Sequence, residues 1–188
     1  MSESNLTKKA VADSLKKLTD KKAFDKISVG EITEEAGINR QTFYYHFTDK
    51  YELLEWIYKE EIVNPIKDEL DFNNWDKKLC DALNVMINEK MFYQNTIKHA
   101  EEYVSRFFLE NARRVFEDAI EVLDEENAID EKARRFYAGF FANGLCGSLM
   151  EWLYDGMNMS AEELTGLLTG LKSTVEMMAY GKVSKIIP

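Results

Sequence analysis

Proline is almost absent from this chain: only Pro65 and Pro188 occur among 188 residues. With so few backbone breakers, and with most of its nine glycines late in the sequence, the chain favours helices over many short strands. Cysteine is equally scarce. Cys80 and Cys146 are far apart and fit neither a disulfide framework nor a Cys-x-x-Cys pair, so they read as two buried small hydrophobes. Only two histidines occur, His46 and His99, and there is no His-Glu-x-x-His and no glycine-rich phosphate loop. Neighbouring carboxylates such as Glu34–Glu35 and Glu125–Glu126 point to different faces of a helix. No metal, no cofactor and no enzymatic activity are expected. Nor does any apolar run approach the length of a membrane span. The start, MSESNLTKKAVADS, lacks the hydrophobic stretch of a signal peptide. A cytoplasmic location away from membranes is the expectation.

What is abundant is acid, and it is unevenly spread. The whole chain carries −10. Residues 1–50 hold nine Lys/Arg and eight Asp/Glu, a net of +1, and the other 15 Lys/Arg and 26 Asp/Glu carry −11. An acidic body disfavours loose contact with nucleic acid and leaves any such binding to a local face of the N-terminal part.

Helix signals are strong in that part. Leu6, Ala10, Val11, Leu15 and Leu18 form one stripe of a first helix, from about Leu6 to Lys21. Most of its lysines read as a solvated face, with Lys8 and Lys9 near enough to the following unit to approach a phosphate. Ser28-Val29-Gly30-Glu31 is a capping box flanked by Ile27 and Ile32 as a hydrophobic staple. The short helix it opens stops at Gly37, suited to a left-handed helix end. Asn39 then caps a third helix from Arg40 to about His46. Two short helices on a glycine turn make a helix-turn-helix. A fourth helix is expected from near Asp49, paired with Glu52, weakening before Pro65.

The remainder reads as helices throughout. One stripe is Trp75, Leu79, Ala82, Leu83, Met86 and Ile87; Tyr103 to Leu123 gives one or two helices, with Arg113 and Arg114 outward. Asp130 to Tyr154 forms a long helix closed by Gly156. Ser160 and Glu163 make another capping box, with Met159 and Leu164 as its staple, for a last helix to about Tyr180. Gly139, Gly144, Gly147, Gly166 and Gly170 lie inside these last two helices, where each costs roughly 1 kcal/mol relative to alanine. Close helix approach or room for a bound molecule would compensate. With too many apolar residues for one helix pair to hide, the pair reads as a subunit interface forming a four-helix bundle between two chains. Its expected residues are Gly139, Phe140, Asn143, Gly144, Gly147, Leu167, Gly170 and Leu171. His99, close to Glu101 and Glu102, reads as a surface or satisfied histidine. Met86, Met150, Met157, Met159, Met177 and Met178 read as core or interface, with an adaptable pocket as the other use for them.

The segment from Gly37 to Lys50, GINRQTFYYHFTDK, resembles the signature of bacterial TetR-family regulators, and the match extends upstream through FDKISVGEITEEAG to cover roughly residues 6–56. YYHFTDKYELLEWIY together with the later EWLYDGM resembles the branch containing dihydroxyacetone-kinase regulators. The resemblance implies an all-α fold of about nine helices. Residues 1–48 would form a three-helix DNA-binding domain, and residues 49–188 a helical effector-binding and dimerisation domain. It further implies a homodimer on double-stranded DNA with an inverted-repeat operator, controlled by a small-molecule effector or a protein co-regulator.

Carried over by position, Asn39, Arg40 and Gln41 would meet base edges. Arginine can bridge the two acceptors of guanine, and asparagine or glutamine can pair with adenine. Ser28, Thr42, Tyr44, Tyr45 and His46 would face phosphates, and Lys50 would bring its amide and helix end to one. Where Asn39 stands the family often has serine or threonine, so the operator sequence does not carry over. Packing offers its own account of several positions. Phe43 and Phe47 fall on the inward face, capping alone would explain Ser28, and Tyr45 is divided between phosphate and core. An adaptor that works through protein contacts is the alternative to a DNA-reading regulator.

Overall fold

The computed structural model describes residues 3–179 other than 69, 72, 125 and 127; the side chains of Glu3 and of residues 172–179 lie outside that description, as does Tyr180. Among the described residues every regular element is helical. In order they are α1 (Glu3–Thr19), a 3-10 turn (Phe24–Lys26), α2 (Val29–Glu35), α3 (Arg40–His46), α4 (Lys50–Tyr58), a π-helical stretch (Lys59–Val63) and α5 (Asn64–Lys67). The body follows with α6 (Trp75–Asn88), α7 (Lys90–Leu123), α8 (Glu131–Tyr154) and α9 (Ala161–Ala179).

The first four helices wrap one small core, the head. Val11 and Leu15 of α1, Ile32 of α2, Phe43 of α3 and Leu53, Leu54 and Ile57 of α4 are fully buried there, with Phe24 and Ile27 between them. This buried cluster continues without a gap into Tyr58, Leu83, Met86, Phe92 and Ile97 of the body. Above it α7 packs chiefly on α8, and α6 on α9.

Two local expectations need correction. Leu6 was placed on the apolar stripe of α1, yet it is 55% exposed and Ala10 is exposed as well. The stripe runs on in sequence past the point where the head's core ends. The fourth helix does not fade before Pro65. It widens into the π-helical stretch and resumes as α5, with Pro65 in the first turn, where its missing N–H costs little. The helix expected from Tyr103 is the second half of α7, which runs from Lys90, breaks at Ala100 (φ −145°, ψ 33°) and continues as a helix to Leu123. Within the single chain the interior glycines make no close helix contact. A Cβ added at Gly144, Gly147, Gly166 or Gly170 would meet nothing within 4 Å, and at Gly139 only the Arg113 side chain at 3.8 Å.

Most other expectations match. Gly156 closes α8 at φ +86°, and Ser160 and Glu163 exchange both capping bonds. Cys146 is buried as expected, its thiol pushed up to about 11 by desolvation; Cys80, expected to be buried too, is instead half-exposed, at the surface beside Glu162, to which it donates. Met86 and Met157 are core residues, and Met150 and Met159 pack against it. The side chains of Met177 and Met178 lie outside the described residues.

Candidate nucleic-acid interface

Short-range chemistry fixes both ends of the helix-turn-helix. At the start of α2, Ser28 Oγ accepts from the Glu31 amide at 3.3 Å. Glu31 Oε2 in turn accepts from the Ser28 amide at 2.9 Å and its hydroxyl at 2.8 Å. Lys22 donates to the other Glu31 oxygen at 2.6 Å, and this bond, ahead of those from Ser28, holds the carboxyl down at about 2. At the far end Gly37 turns at φ +66°. There the Ile38 amide bonds Thr33 O at 3.0 Å and the Gly37 amide bonds Glu34 O at 3.2 Å, the pairing of a Schellman end.

Asn39 then opens α3. Its Oδ1 accepts from the Thr42 amide at 2.8 Å and from the Thr42 hydroxyl at 3.0 Å. Both residues are therefore partly committed to holding the helix. Phe43 and Phe47 point inward and are buried, as their spacing suggests. The outward face presents Arg40 and Gln41, with Tyr44 at 55% and Tyr45 at 83% exposure; Thr42 and His46 are half-buried. Tyr45 is thus a surface residue, not a core one. The Arg40 guanidinium lies across the first turn of α2, where a Cβ on Gly30 would stand 2.5 Å from it. Glycine at position 30 leaves that space.

Asp49 caps α4 by accepting from the amides of Tyr51 (2.7 Å) and Glu52 (2.9 Å). Glu52 was expected to pair with Asp49 but reaches one residue further, accepting from the Thr48 amide at 2.6 Å and hydroxyl at 2.7 Å. The Lys50 side chain turns inward. Its ammonium donates to Phe24 O (2.8 Å), Asp25 O (2.9 Å) and Ile27 O (2.8 Å) and lies 4.8 Å from the Phe24 ring. Burial lowers its pKa. An ammonium has three N–H donors, so Lys50 ties the turn before α2 to the start of α4. Only its backbone end of α4 is left to face a phosphate. Lys8 is likewise drawn inward, its ammonium 5.7 Å from the Phe47 ring and 5.9 Å from that of Trp56.

Sequence reasoning missed the side chains that seat this head on the body. Lys16 of α1 pairs with Glu61 and Glu89, and the Tyr93 hydroxyl donates to Glu61 at 3.0 Å. Asn95 of α7 bonds three backbone groups of the head, and His99 stands 3.5 Å from Asp25. No local pattern marks an asparagine whose partners lie 71 to 76 residues earlier.

On the body, the proposed interface residues share bare surfaces. Ala138, Ala142 and Cys146 of α8 are buried, whereas Gly144, Gly147 and Asn143 are exposed and Phe140 is 67% exposed. On α9, Leu164 and Thr165 are buried, and Leu167 and Leu171 are 61% and 55% exposed beside Gly170. Only Gly139 is half-buried. Asn143 spends a donor on its own helix, bonding Gly139 O at 2.7 Å.

Residues 13–57 match the family model for bacterial regulatory proteins of the tetR family, and residues 73–173, more than half the chain, match the model for the transcriptional regulator C-terminal region. The chain belongs to the TetR family. It is therefore a DNA-binding transcription regulator and not an enzyme. TetR regulators typically dimerise. The chain is 29% identical over 163 residues to the HTH-type dhaKLM operon transcriptional activator DhaS of Lactococcus lactis subsp. lactis (strain IL1403), a match covering 85% of this chain and 86% of that protein. A solved structure titled dihydroxyacetone kinase operon activator DhaS superimposes with a TM-score of 0.67. It is 28% identical, and the match covers 94% of this chain and 97% of that one. Both agree with the branch whose likeness was read from YYHFTDKYELLEWIY and EWLYDGM. Among the described residues no helix is long and apolar enough to cross a membrane.

Proposed function

We propose that this regulator works as a homodimer whose two heads set α3 into successive major grooves of an inverted repeat. The observation that carries the reading is the face of α3, which offers Arg40, Gln41, Tyr44 and Tyr45 outward while Phe43 and Phe47 anchor it. Arg40 and Gln41 read base edges, assisted by the Asn39 amide left over from capping. Thr42, Tyr44, Tyr45, His46 and Ser28 line the backbone side, and the amide end of α4 at Lys50 meets a phosphate. Residues 1–48 are the reading unit, and residues 49–188 form the dimer and receive the signal, from a small molecule or a protein co-regulator.

The bare faces of α8 and α9 bring the two chains together. Gly144, Gly147 and Gly170 let backbones approach where phenylalanine and leucine surround them. By likeness to the operon activator DhaS, the chain activates transcription rather than represses it. Selection of fragmented source DNA by the purified dimer at physiological salt tests the reading. Enrichment of one inverted repeat is expected. A folded dimer that enriches nothing would overturn it in favour of a protein-contact adaptor.

A further inference from the structure

The head is joined to the body through α4, and near that junction regular α-helix is interrupted in two places. One is the π-helical stretch Lys59–Val63 and the other is the interruption of α7 at Ala100. Between them sits Asn95. Its Nδ2 donates to Thr19 O at 2.7 Å and to Lys22 O at 2.8 Å, and its Oδ1 accepts from the Phe24 amide at 2.8 Å. Both amide donors and the acceptor are thus used, and all three partners belong to the turn that leaves α1 for α2. One helical turn on, His99 Nδ1 stands 3.5 Å from Asp25 Oδ1. Past the break at Ala100, the Tyr103 ring lies 5.0 Å from that of Tyr51 in the first turn of α4. All three face the head, two before the break at Ala100 and one after it, and beyond them α7 packs chiefly on α8, the helix with the bare face.

We propose that Asn95 is a positioning residue that fixes the angle of the head on the body and so sets the spacing of the two heads on DNA. Apolar contacts across this junction are adhesive but non-directional. Hydrogen bonds are directional, and three from one planar amide to one loop define an orientation. Losing them hands three backbone groups to water and leaves no directional bond to hold the head at one angle on α7. In a dimer a small tilt at this point displaces both α3 helices, and half-site spacing is the quantity that registers it. The second consequence rests on the dimeric DNA-binding reading above; the first does not.

The test uses Asn95→Ala and Asn95→Asp in the full chain. Asparagine to aspartate keeps the acceptor for Phe24 but sets a carboxylate against two carbonyls. Spin labels at Glu34→Cys on the head and Lys132→Cys on the body, with Cys80 and Cys146 replaced by alanine and unlabelled chains in excess, report the distance within one chain. A narrow distribution for Asn95 and a broad one for both variants are expected, the aspartate variant at least as broad. Equal widths at native helicity would overturn the proposal whether or not DNA is bound.

Operators lengthened or shortened between half-sites by one or two base pairs then read the functional consequence. Preference for the selected spacing should fall by roughly threefold or more in the variants, the scale of one hydrogen bond's net worth. Base preference within each half-site should stay unchanged. An equal loss of affinity on every spacing would mean that Asn95 merely stabilises the fold, and would overturn its spacing role. If the native chain selects no inverted repeat, the distance measurement still decides the latch, and it is the dimeric DNA-binding reading that falls.

Discussion

Head and body solve opposite problems with the same material. The head, with its short α2 and α3, spends its polar side chains on helix ends: Ser28 with Glu31, Asn39 with Thr42, Asp49 with two amides, Lys50 with three carbonyls. Its apolar residues are mostly inside; besides Leu6, the large exposed exceptions are Tyr44 and Tyr45, on the face proposed to meet DNA. The body has long helices, few such devices, and apolar side chains left outside. A finished core beside an unfinished one suggests that the body completes itself against a second copy. Two phenylalanines put the contrast most sharply. Phe43→Ala, at a position with no exposure, should cost about 3–5 kcal/mol, read by denaturant unfolding of the head. Phe140→Ala, at 67% exposure, should change monomer stability by no more than about 0.5 kcal/mol while weakening dimerisation. Equal costs at both positions would erase the distinction.

Gly147→Leu tests the body's side of the comparison directly. Within one chain the added side chain enters open space, so helicity should be native. Mass measured by light scattering should nevertheless shift from dimer toward monomer. An unchanged dimer would show that the chains meet elsewhere and that the glycines need another account.

Within the head, Arg40 and Lys50 are both basic and adjacent to the same surface, yet they should fail differently. Arg40→Ala should relax discrimination at one position in each half-site, by about 1–3 kcal/mol. Lys50→Ala strips three carbonyls of their donor, so thermal stability should drop. The salt dependence of DNA affinity should barely move, because the ammonium faces inward; a phosphate contact would reduce the slope by about 0.9. A slope that falls by that amount would place Lys50 on the DNA after all.

How much of this was legible follows from range. The capping box at Ser28, the turn at Gly37, the cap at Asn39 and the inward Phe43 are all decided within four residues, and the sequence shows them. Periodicity located α6, α8 and α9 for the same reason. It misjudged Leu6, because a stripe says which face is apolar and not how far the neighbouring core extends. It could not show that the Lys50 ammonium turns inward, since its acceptors lie 23 to 26 residues earlier. Asn95 was invisible on the same grounds. A resemblance supplied the DNA-reading roles, but the fate of each lysine required three dimensions.

The smallest expected effect concerns the head's own electrostatics. Glu31 is only half-buried, yet Lys22 and Ser28 together bring its carboxyl from 4.5 down to about 2. A carboxyl whose folded value is depressed stabilises the fold above its unfolded value and loses that contribution as pH falls toward the folded one. Glu31→Gln should therefore melt below the native chain at pH 7, and the difference between them should shrink from about pH 4.5 downward and close near pH 2. Asp25 and Glu52 are shifted in the same direction, so the native chain alone cannot assign the window, and the difference between the two melting curves can. A gap of constant size down to low pH would mean that the shape of the Ser28 box, and not the charge of Glu31, holds the start of α2. In that case raising salt should leave the gap unchanged as well, whereas a charge-borne gap narrows as salt screens Lys22 from Glu31.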